Sequence, residues 1–407
     1  MTAPDVPAPG APGADHYPAP GPALANPVRV AMVAGEASGD LLAGLLLSAM
    51  RGRWPALAAQ GIGGPRMVAQ GFDALWPSEK LAVFGYIDAL RHYREILGIR
   101  NQLKARLLKQ RPNVFIGIDA PDFNLDLEGA LHDQGIKTVH FVCPSIWAWR
   151  AGRVEKIRRN VDHVLCIFPF EPELLARHGV AATYVGHPLA SVIPLQPDRA
   201  AARDRLGLAH DARVVAILPG SRRAEIKHLA SRFFEAAALV NRSYPAIQFV
   251  VPAVPTWKAP LERAARDAGL DNRLKVLEGD SHTALAACDV ALVASGTATL
   301  EAALFKRPMV IAYAVNGLSW RIMRSKALQP WVGLPNILLR DMAVPELLQH
   351  AATPRALADA LLHWLADLDG AGTAVAALEQ RFTALHHTLQ RDTSKLATDA
   401  IEKILQS

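Results

Sequence analysis

The chain has 407 residues, of which 51% are hydrophobic and 20% charged, with a formal net charge of +6. This composition excludes a disordered protein, and the length predicts two domains. No apolar run reaches the ~20 residues that span a bilayer. The three cysteines stand apart in apolar segments, which excludes a disulfide framework or zinc site and indicates a reducing cytoplasm.

The basic balance is compatible with nucleic acid, an anionic membrane surface or an anionic substrate. Because no zinc finger, RNA-binding signature or basic recognition helix appears, nucleic acid is not a predicted partner. Phosphates and lipids are favoured instead. A mildly basic protein without such a partner is the alternative.

The predicted elements begin after a Pro/Ala-rich tail at 1–26, which we expect to be flexible and to contain no signal peptide. From residue 27, strand-like runs alternate with helical patterns. RVAMVA leads through GEASGD into a helix, GIGG closes a second strand, and VFIGID, TVHFVC and VDHVLCIF follow. This alternation predicts βαβ units and a parallel sheet over 27–190.

A second alternation follows the proline-containing stretch SVIPLQPDRA, where we place the domain boundary at 191. The runs VVAILPGS, IQFVVPAV, LKVLEGD, VALVASGT and PMVIAY predict a second sheet over 191–345. Only helical patterns are visible over 346–407. The predicted fold class is therefore α/β, with two doubly wound Rossmann-like domains facing a central cleft and a helical C-terminus.

Two strand–turn–helix segments in the second domain, at 218–229 and 295–310, point to an anion site. Unpaired backbone N–H groups and the helix dipole at such turns attract phosphate. We therefore predict a nucleotide diphosphate held between them, with ordinary turn chemistry as the alternative. The predicted ligands are two glycines that allow close approach, three hydroxyls, one guanidinium and one carboxylate for a sugar diol: Gly220, Gly296, Ser221, Ser295, Thr297, Arg222 and Glu301.

Asp119 ends a buried strand, where a carboxylate can act as general base on an acceptor hydroxyl. A structural hydrogen-bond acceptor is the alternative role. Asp122 is the rival base, although Pro121 before it is more typical of a helix start. No His or carboxylate cluster has metal-binding spacing, so we expect neither metal nor cofactor.

The turn GEASGD lacks the GxGxxG spacing of dinucleotide sites, so a nicotinamide cofactor is not predicted. We expect this turn and the next, GGPR, to face the acceptor, with plain turn chemistry as the alternative. The predicted acceptor residues are Gly35, Glu36, Ser38, Gly39, Asp40, Gly64 and Arg66.

Seven blocks together resemble the lipid-A-disaccharide synthase family. They are VAGEASGD (33–40), GIGGPRM (61–67), FIGIDAPDFN (115–124), CPSIWAWR (143–150), LPGSR (218–222), SGTATLE (295–301) and LPN (334–336). The likeness extends from Val28 to the C-terminal helices. It implies a GT-B fold and an inverting, metal-independent glycosyl transfer. The implied donor is UDP-2,3-diacylglucosamine, and the implied acceptor is 2,3-diacylglucosamine 1-phosphate (lipid X).

The resemblance also implies that Asp119 is the base and that Asn336 lies near the nucleotide. It implies a peripheral location on the cytoplasmic face of the bacterial inner membrane, and a possible homodimer with exchanged C-terminal helices. Three alternatives stay open: a UDP-sugar 2-epimerase, another GT-B lipid glycosyltransferase, and a non-catalytic nucleotide-sugar or lipid-binding protein.

The segment YIDALRHYREIL at 86–97 carries an apolar stripe at helical spacing beside Arg91, His92 and Arg94. Such a stripe is usually core. The basic flank and an acylated substrate favour a patch that binds an anionic membrane surface. The predicted membrane residues are Ile87, Leu90, Tyr93, Ile96 and Leu97.

Overall fold

Two parallel β-sheets form the framework of the chain. The computed structural model describes residues 27–81, 86–148, 151–270 and 273–407, except for the side chains at 37, 79, 86–93, 318, 319 and 322. The first sheet has the strand order β3-β2-β1-β4-β5-β6-β7. Its strands are β1 (Arg29–Ala34), β2 (Ala58–Gly63), β3 (Asp73–Pro77), β4 (Val114–Ile118), β5 (Lys137–Phe141), β6 (His163–Cys166) and β7 (Ala182–Tyr184).

The helices of this domain follow the strands in alternation, as the sequence predicts. They are α1 (Ala37–Arg53), α2 (Pro65–Val68), α3 (Tyr86–Gln110), α4 (Pro121–His132), α5 (Arg153–Asn160), α6 (Glu171–Ala176) and α7 (Pro188–Val192). Strands β1 and β4 are buried along almost their whole length, because helices cover both faces of the sheet.

The second sheet has the strand order β10-β9-β8-β11-β12-β13. Its strands are β8 (Val214–Leu218), β9 (Gln248–Ala253), β10 (Leu274–Glu278), β11 (Val290–Ala294), β12 (Met309–Tyr313) and β13 (Glu346–Leu348). The expectation of helix alone from 346 onward is wrong at β13, which pairs in parallel with β12. Three residues are too few to show a strand periodicity in the sequence.

The remaining helices cover the second sheet and then return to the first domain. They are α8 (Arg199–Leu206), α9 (Arg223–Ser243), α10 (Pro255–Asp267), α11 (Ser281–Ala287), α12 (Thr297–Leu304), α13 (Gly317–Lys326), α14 (Leu334–Leu339), α15 (Pro354–Asp369), α16 (Thr373–Leu389) and α17 (Thr393–Gln406). Helix α17 packs on α1, where Arg53 forms ion pairs with Asp399 and Glu402.

Both sheets reverse their strand order at one point, between β1 and β4 in the first and between β8 and β11 in the second. Ligands of open α/β sheets bind outside the carboxyl ends of the strands at such points. The reversal therefore brings the turns after these four strands together in pairs. Loops of the two domains meet where the amide of Leu328 donates to the carbonyl of Ala148 at 2.9 Å.

Candidate active site

Asp119 lies at the carboxyl end of β4 in a strained turn. Asp119 and Ala120 both have a left-handed backbone, with φ of 50° and 42°, and this conformation costs a non-glycine residue about 1–2 kcal/mol. The Asp119 amide donates to the carbonyl of Phe141 at 2.9 Å. Its half-exposed carboxylate makes no hydrogen bond or ion pair within the described part of the chain. The turn therefore holds the backbone firmly and leaves the acid group accessible.

The GEASGD turn lies directly beside Asp119. Ala34 pairs with Ile118 at the ends of β1 and β4, and a Cβ placed on Gly35 would lie 3.4 Å from the Cβ of Ala120. Glu36 and Ser38, on the same turn, are exposed. The structure thus brings the predicted acceptor turn and the predicted base to one edge of the sheet.

Asp40, predicted to bind the acceptor, instead joins this turn to the next one. Its side chain is buried and accepts hydrogen bonds from the amides of Gly64 at 2.8 Å, Arg66 at 2.9 Å and Met67 at 3.1 Å. These bonds use the carboxylate to cap α2, which is a structural role, and the acceptor role of Asp40 stays a prediction. Gly64 must be glycine here, because a Cβ would lie 2.6 Å from Asp40 Oδ2.

Two other residues near this edge have clear positions. The side chain of Arg66 is exposed and unpaired among the residues that the structure describes. Gly39 is buried, with its Cβ position 3.5 Å from the Cβ of Ala34. Asp122, the rival base, lies in the first turn of α4 and forms an ion pair with Arg153, which leaves Asp119 as the better candidate.

A cavity of about 310 Å³ lies between the two anion-site turns of the second domain. Its formation follows from the sheet, because Leu218 at the end of β8 pairs with Val293 of β11. Seven of the predicted nucleotide ligands line it: Gly220, Ser221, Arg222, Ser295, Gly296, Thr297 and Glu301.

The start of α12 provides the free donors of this cavity. The backbone amides of Gly296, Thr297 and Ala298 have no protein acceptor among the described residues, and Thr297 is exposed. Unpaired amides at a helix N-terminus attract anions. Ser295 is different, because its hydroxyl donates to the carbonyl of Val332 at 2.9 Å. Ser295 still lines the cavity, and its role as a donor to the ligand stays a prediction.

The start of α9 is already capped. Glu225 Oε2 accepts the backbone amides of Ser221 at 3.0 Å and Arg222 at 3.1 Å. The prediction of outward, unpaired amides is thus wrong at this turn. Gly220 has φ of 106°, and a Cβ there would lie 2.4 Å from Glu225 Oε2. Arg222 keeps a side chain that is 69% exposed, with one weak contact to Glu225 at 3.4 Å.

Glu301 lies at the back of the cavity in contact with two residues that the sequence reasoning missed. Its Oε2 accepts from Ser281 Oγ at 3.3 Å and lies 3.5 Å from His282 Nε2. The hydrogen bond from Glu301 raises the pKa of His282. The sequence contains a pattern that predicts these two residues near the site, since GDSH follows the strand LKVLE in the same strand–turn–helix arrangement.

Asn336, expected near the nucleotide, is fully buried and fully used in the protein. Its Nδ2 donates to Val344 O at 2.9 Å and to Glu346 Oε1 at 2.8 Å, and its Oδ1 accepts from Val344 N at 3.0 Å. These contacts fix the chain before β13. The role of Asn336 near the nucleotide stays a prediction, and these contacts show that it also has a structural role.

The predicted membrane face is described only at its end. Ile96 is half-buried and packs against the core beneath α3, and its membrane role stays a prediction. Leu97 is half-buried. The side chains of Ile87, Leu90 and Tyr93 lie outside the described residues.

Two searches of the described residues gave negative results. In the ranges given above, no three His, Cys, Asp or Glu side chains come together to hold a metal ion. Nor does any helix in those ranges combine the length and apolar character needed to cross a membrane.

Two Rossmann-like domains whose loops meet, with a cavity at the carboxyl edge of the second sheet, are the architecture of a GT-B protein. Solved structures agree on the fold. A UDP-GlcNAc 2-epimerase from Neisseria meningitidis bound to UDP-GlcNAc has a TM-score of 0.64 at 11% identity, over 92% of this chain and 100% of that one. MurG of Acinetobacter baumannii has a TM-score of 0.57 at 14% identity, over 93% and 100%.

Sequence comparison identifies the family. The profile described as lipid-A-disaccharide synthetase matches residues 30–401. The lipid-A-disaccharide synthase of Albidiferax ferrireducens is 66% identical over 94% of this chain and 99% of its own length. The one from Verminephrobacter eiseniae is 62% identical over 94% and 99%. The chain belongs to the lipid-A-disaccharide synthase family, and it is a glycosyltransferase of lipid A biosynthesis.

Proposed function

We propose that this enzyme transfers 2,3-diacylglucosamine from UDP to the 6-hydroxyl of 2,3-diacylglucosamine 1-phosphate, with inversion at the anomeric carbon. The observation that carries this proposal is the carboxylate of Asp119, which has no partner among the described residues and lies in a strained turn beside the GEASGD loop. Strain at a non-glycine residue is retained where function requires it. The domain of the 2,3-diacylglucosamine 1-phosphate site would thus supply the base.

The reaction is a single displacement. Asp119 accepts the proton of the 6-hydroxyl, and the oxygen attacks the anomeric carbon from the face opposite UDP. The new C–O bond forms as the bond to the diphosphate breaks, and UDP leaves with the electron pair. The amides at the start of α12 and the guanidinium of Arg222 stabilise the developing charge, and Glu301 holds the ribose.

The test is mass spectrometry of the products formed from the two acylated sugars, offered alone and together. The disaccharide 1-phosphate and UDP should appear only when both are present. The Asp119→Asn variant should lose about 10²-fold or more of the turnover while UDP binding persists, because the nucleotide lies in the other domain. UDP release from the donor alone would contradict the proposal and favour an epimerase-like reaction. A folded Asp119→Asn variant with parental turnover would contradict the role of the base.

The location and assembly of the enzyme are part of the same proposal. Acylated substrates and the net charge of +6 support peripheral binding to the anionic cytoplasmic face of the inner membrane through the start of α3. Replacing Ile87, Leu90 and Leu97 with Ser should reduce co-sedimentation with anionic vesicles. Replacing Arg106, an exposed cation farther along α3, with Ser is the control. Unchanged sedimentation of a folded triple variant would place the membrane face elsewhere.

A homodimer by exchange of the C-terminal helices is also proposed. Its support is the packing of α17 on α1, across the boundary between the two domains. In an exchanged dimer, the α17 of the partner would make these contacts. Light scattering of the purified chain should give the mass of a dimer, and a monomer across the working concentration range would contradict this.

A further inference from the structure

A second cavity lies between the two domains and shares no lining residue with the nucleotide cavity. Its volume is about 510 Å³, within the range of ligand pockets. Apolar side chains from both domains form its walls. They are Ile146, Trp147, Phe170 and Leu174 from the first domain, and Leu328 and Trp331 from the second.

The cavity lies within a formed contact rather than in an open gap. Beside it, the amide of Leu328 donates to the carbonyl of Ala148 at 2.9 Å, and Gln329 Nε2 donates to the carbonyl of Trp147 at 3.3 Å.

Its aromatic wall is held in place from behind. Trp147 Nε1 donates to the buried carboxylate of Glu171 at 2.9 Å. The Trp147 ring meets Phe170 edge to face, with centroids 5.4 Å apart and planes at 85°. A rigid, preformed apolar cavity binds apolar groups well, because little ordering is needed.

The wall of the cavity is connected to the segment that carries the proposed base. Ala151 and Val154 line the cavity, and Arg153 between them forms an ion pair with Asp122 at the start of α4. Asp122 follows Asp119 by three residues. The cavity and the turn of the proposed base are thus joined through one ion pair, which is the basis for assigning the two to one ligand.

The cavity wall also has a cation available for a ligand. Arg340 is exposed, has a left-handed backbone with φ of 53°, and forms no ion pair with other described residues. The other arginine of the wall, Arg177, is paired with Glu173 at 2.6 Å. An apolar cavity with one unpaired guanidinium suits an amphiphile with an anionic headgroup.

We propose that this cavity binds one fatty acyl chain of the acceptor, with Arg340 near the acceptor phosphate. The proposal rests on the proposed function for the identity of the ligand. The acyl chain would then be recognised at the contact between the domains, by residues from both domains.

The first test introduces a large side chain at the rim of the cavity. Ala151 is exposed and lines the cavity, whereas Ala176 is exposed at the end of α6 and does not. We expect Ala151→Phe to raise the KM for the acylated acceptor about tenfold or more, with UDP affinity unchanged. The matched control Ala176→Phe should keep the parental KM. Arg340→Gln should raise the KM for the acceptor without changing UDP affinity.

A binding measurement separates this proposal from the reaction itself. Dodecyl phosphate brominated along its chain should quench Trp147 and Trp331 in the parent, and not in Ala151→Phe. Quenching persists even if the parent transfers no sugar, in which case the proposed function fails and the chain site stands. Parental quenching and parental KM in a folded Ala151→Phe variant would overturn the proposal. If quenching is lost but KM is not changed, the acceptor assignment is overturned.

UDP affinity reports whether the second domain is folded. If Ala151→Phe loses UDP affinity, Leu174→Gln replaces it as the test variant, because it makes the wall of the cavity polar. Quenching and the KM for the acceptor are then measured in Leu174→Gln. Parental values of both in Leu174→Gln would equally overturn the proposal.

Discussion

The side chain of Asn124 donates a hydrogen bond from Nδ2 to the main-chain oxygen of Asp119 at 2.8 Å. A longer contact of 3.4 Å reaches the carbonyl of Ile118. Asn124 is fully buried in the first turns of α4, so it supports the left-handed turn from below. The position of the Asp119 carboxylate therefore depends on a residue that cannot touch the substrate.

We expect Asn124→Ala to lower kcat by about tenfold and to cost about 1–3 kcal/mol of stability, because buried main-chain carbonyls lose their donor. UDP affinity should not change. Steady-state kinetics and urea unfolding measure the two effects. The control Asn101→Ala replaces an exposed asparagine of α3 and should have neither effect. A stable Asn124→Ala variant with parental kcat would show that the conformation of the Asp119 turn does not depend on Asn124.

Arg222→Ala should weaken UDP binding by about 10-fold to 100-fold, since a charge-assisted bond to phosphate contributes roughly 1.5–3 kcal/mol. Transfer should slow in parallel. The neighbouring Arg223 is exposed and does not line the cavity, so Arg223→Ala is the matched control. Calorimetry measures the UDP affinity of both variants. Equal affinities would show that Arg222 points away from the diphosphate.

The negative charge of Glu225 should repel the diphosphate that its turn is predicted to bind. Its carboxylate lines the nucleotide cavity and occupies the amides of Ser221 and Arg222. Glu225→Gln keeps an acceptor for these amides and removes the negative charge. We therefore expect UDP to bind about threefold or more tightly. Glu235→Gln, on the exposed side of α9, controls for net charge. Weaker UDP binding by Glu225→Gln would indicate that Glu225 contacts the nucleotide directly.

The sequence was sufficient to predict both sheets and the position of the site residues relative to the strands. Strand–turn–helix patterns place polar residues at the carboxyl edge, and Asp119 and Thr297 lie there. The sequence alone does not show whether a polar residue at this edge has a ligand or the protein as its partner. Asn336 donates a hydrogen bond to Glu346, the first residue of β13. This strand is too short to be predicted from the sequence.

A similar ambiguity applies to the turns themselves. Asp40 is polar, follows a strand and belongs to a family-like motif, yet three amides of the next turn surround it. Residue type and spacing do not reveal which donors come within reach, because those donors lie on another βα unit. The alignment of neighbouring turns is a property of the folded sheet.

Transfer should continue in excess EDTA. The proposed diphosphate site uses the amides at the start of α12 and the guanidinium of Arg222, which supply the charge that Mg²⁺ provides elsewhere. The measurement is product formation after dialysis against chelator, with Mg²⁺ added back to a second sample. A complete loss that Mg²⁺ alone restores would refute the expectation.

The buried carboxyl of Glu171 should make stability depend on pH. Burial raises its pKa from 4.5 to about 7, although hydrogen bonds from Trp147 and Phe168 favour the ionised form. The folded state thus holds the proton more tightly than the unfolded state. The stabilisation is complete below pH 4.5 and is lost as the pH rises to about 7.

Relative to Glu171→Gln, the parent should lose about 3 kcal/mol of unfolding free energy between pH 4 and pH 8. Other titrating groups cancel in this comparison, because they are present in both proteins. Urea unfolding at several pH values measures the difference. Glu173→Gln removes an exposed carboxylate from the same helix and should retain the parental dependence on pH. A constant difference between parent and Glu171→Gln across this range would mean that Glu171 stays ionised in the fold, held by the donors around it.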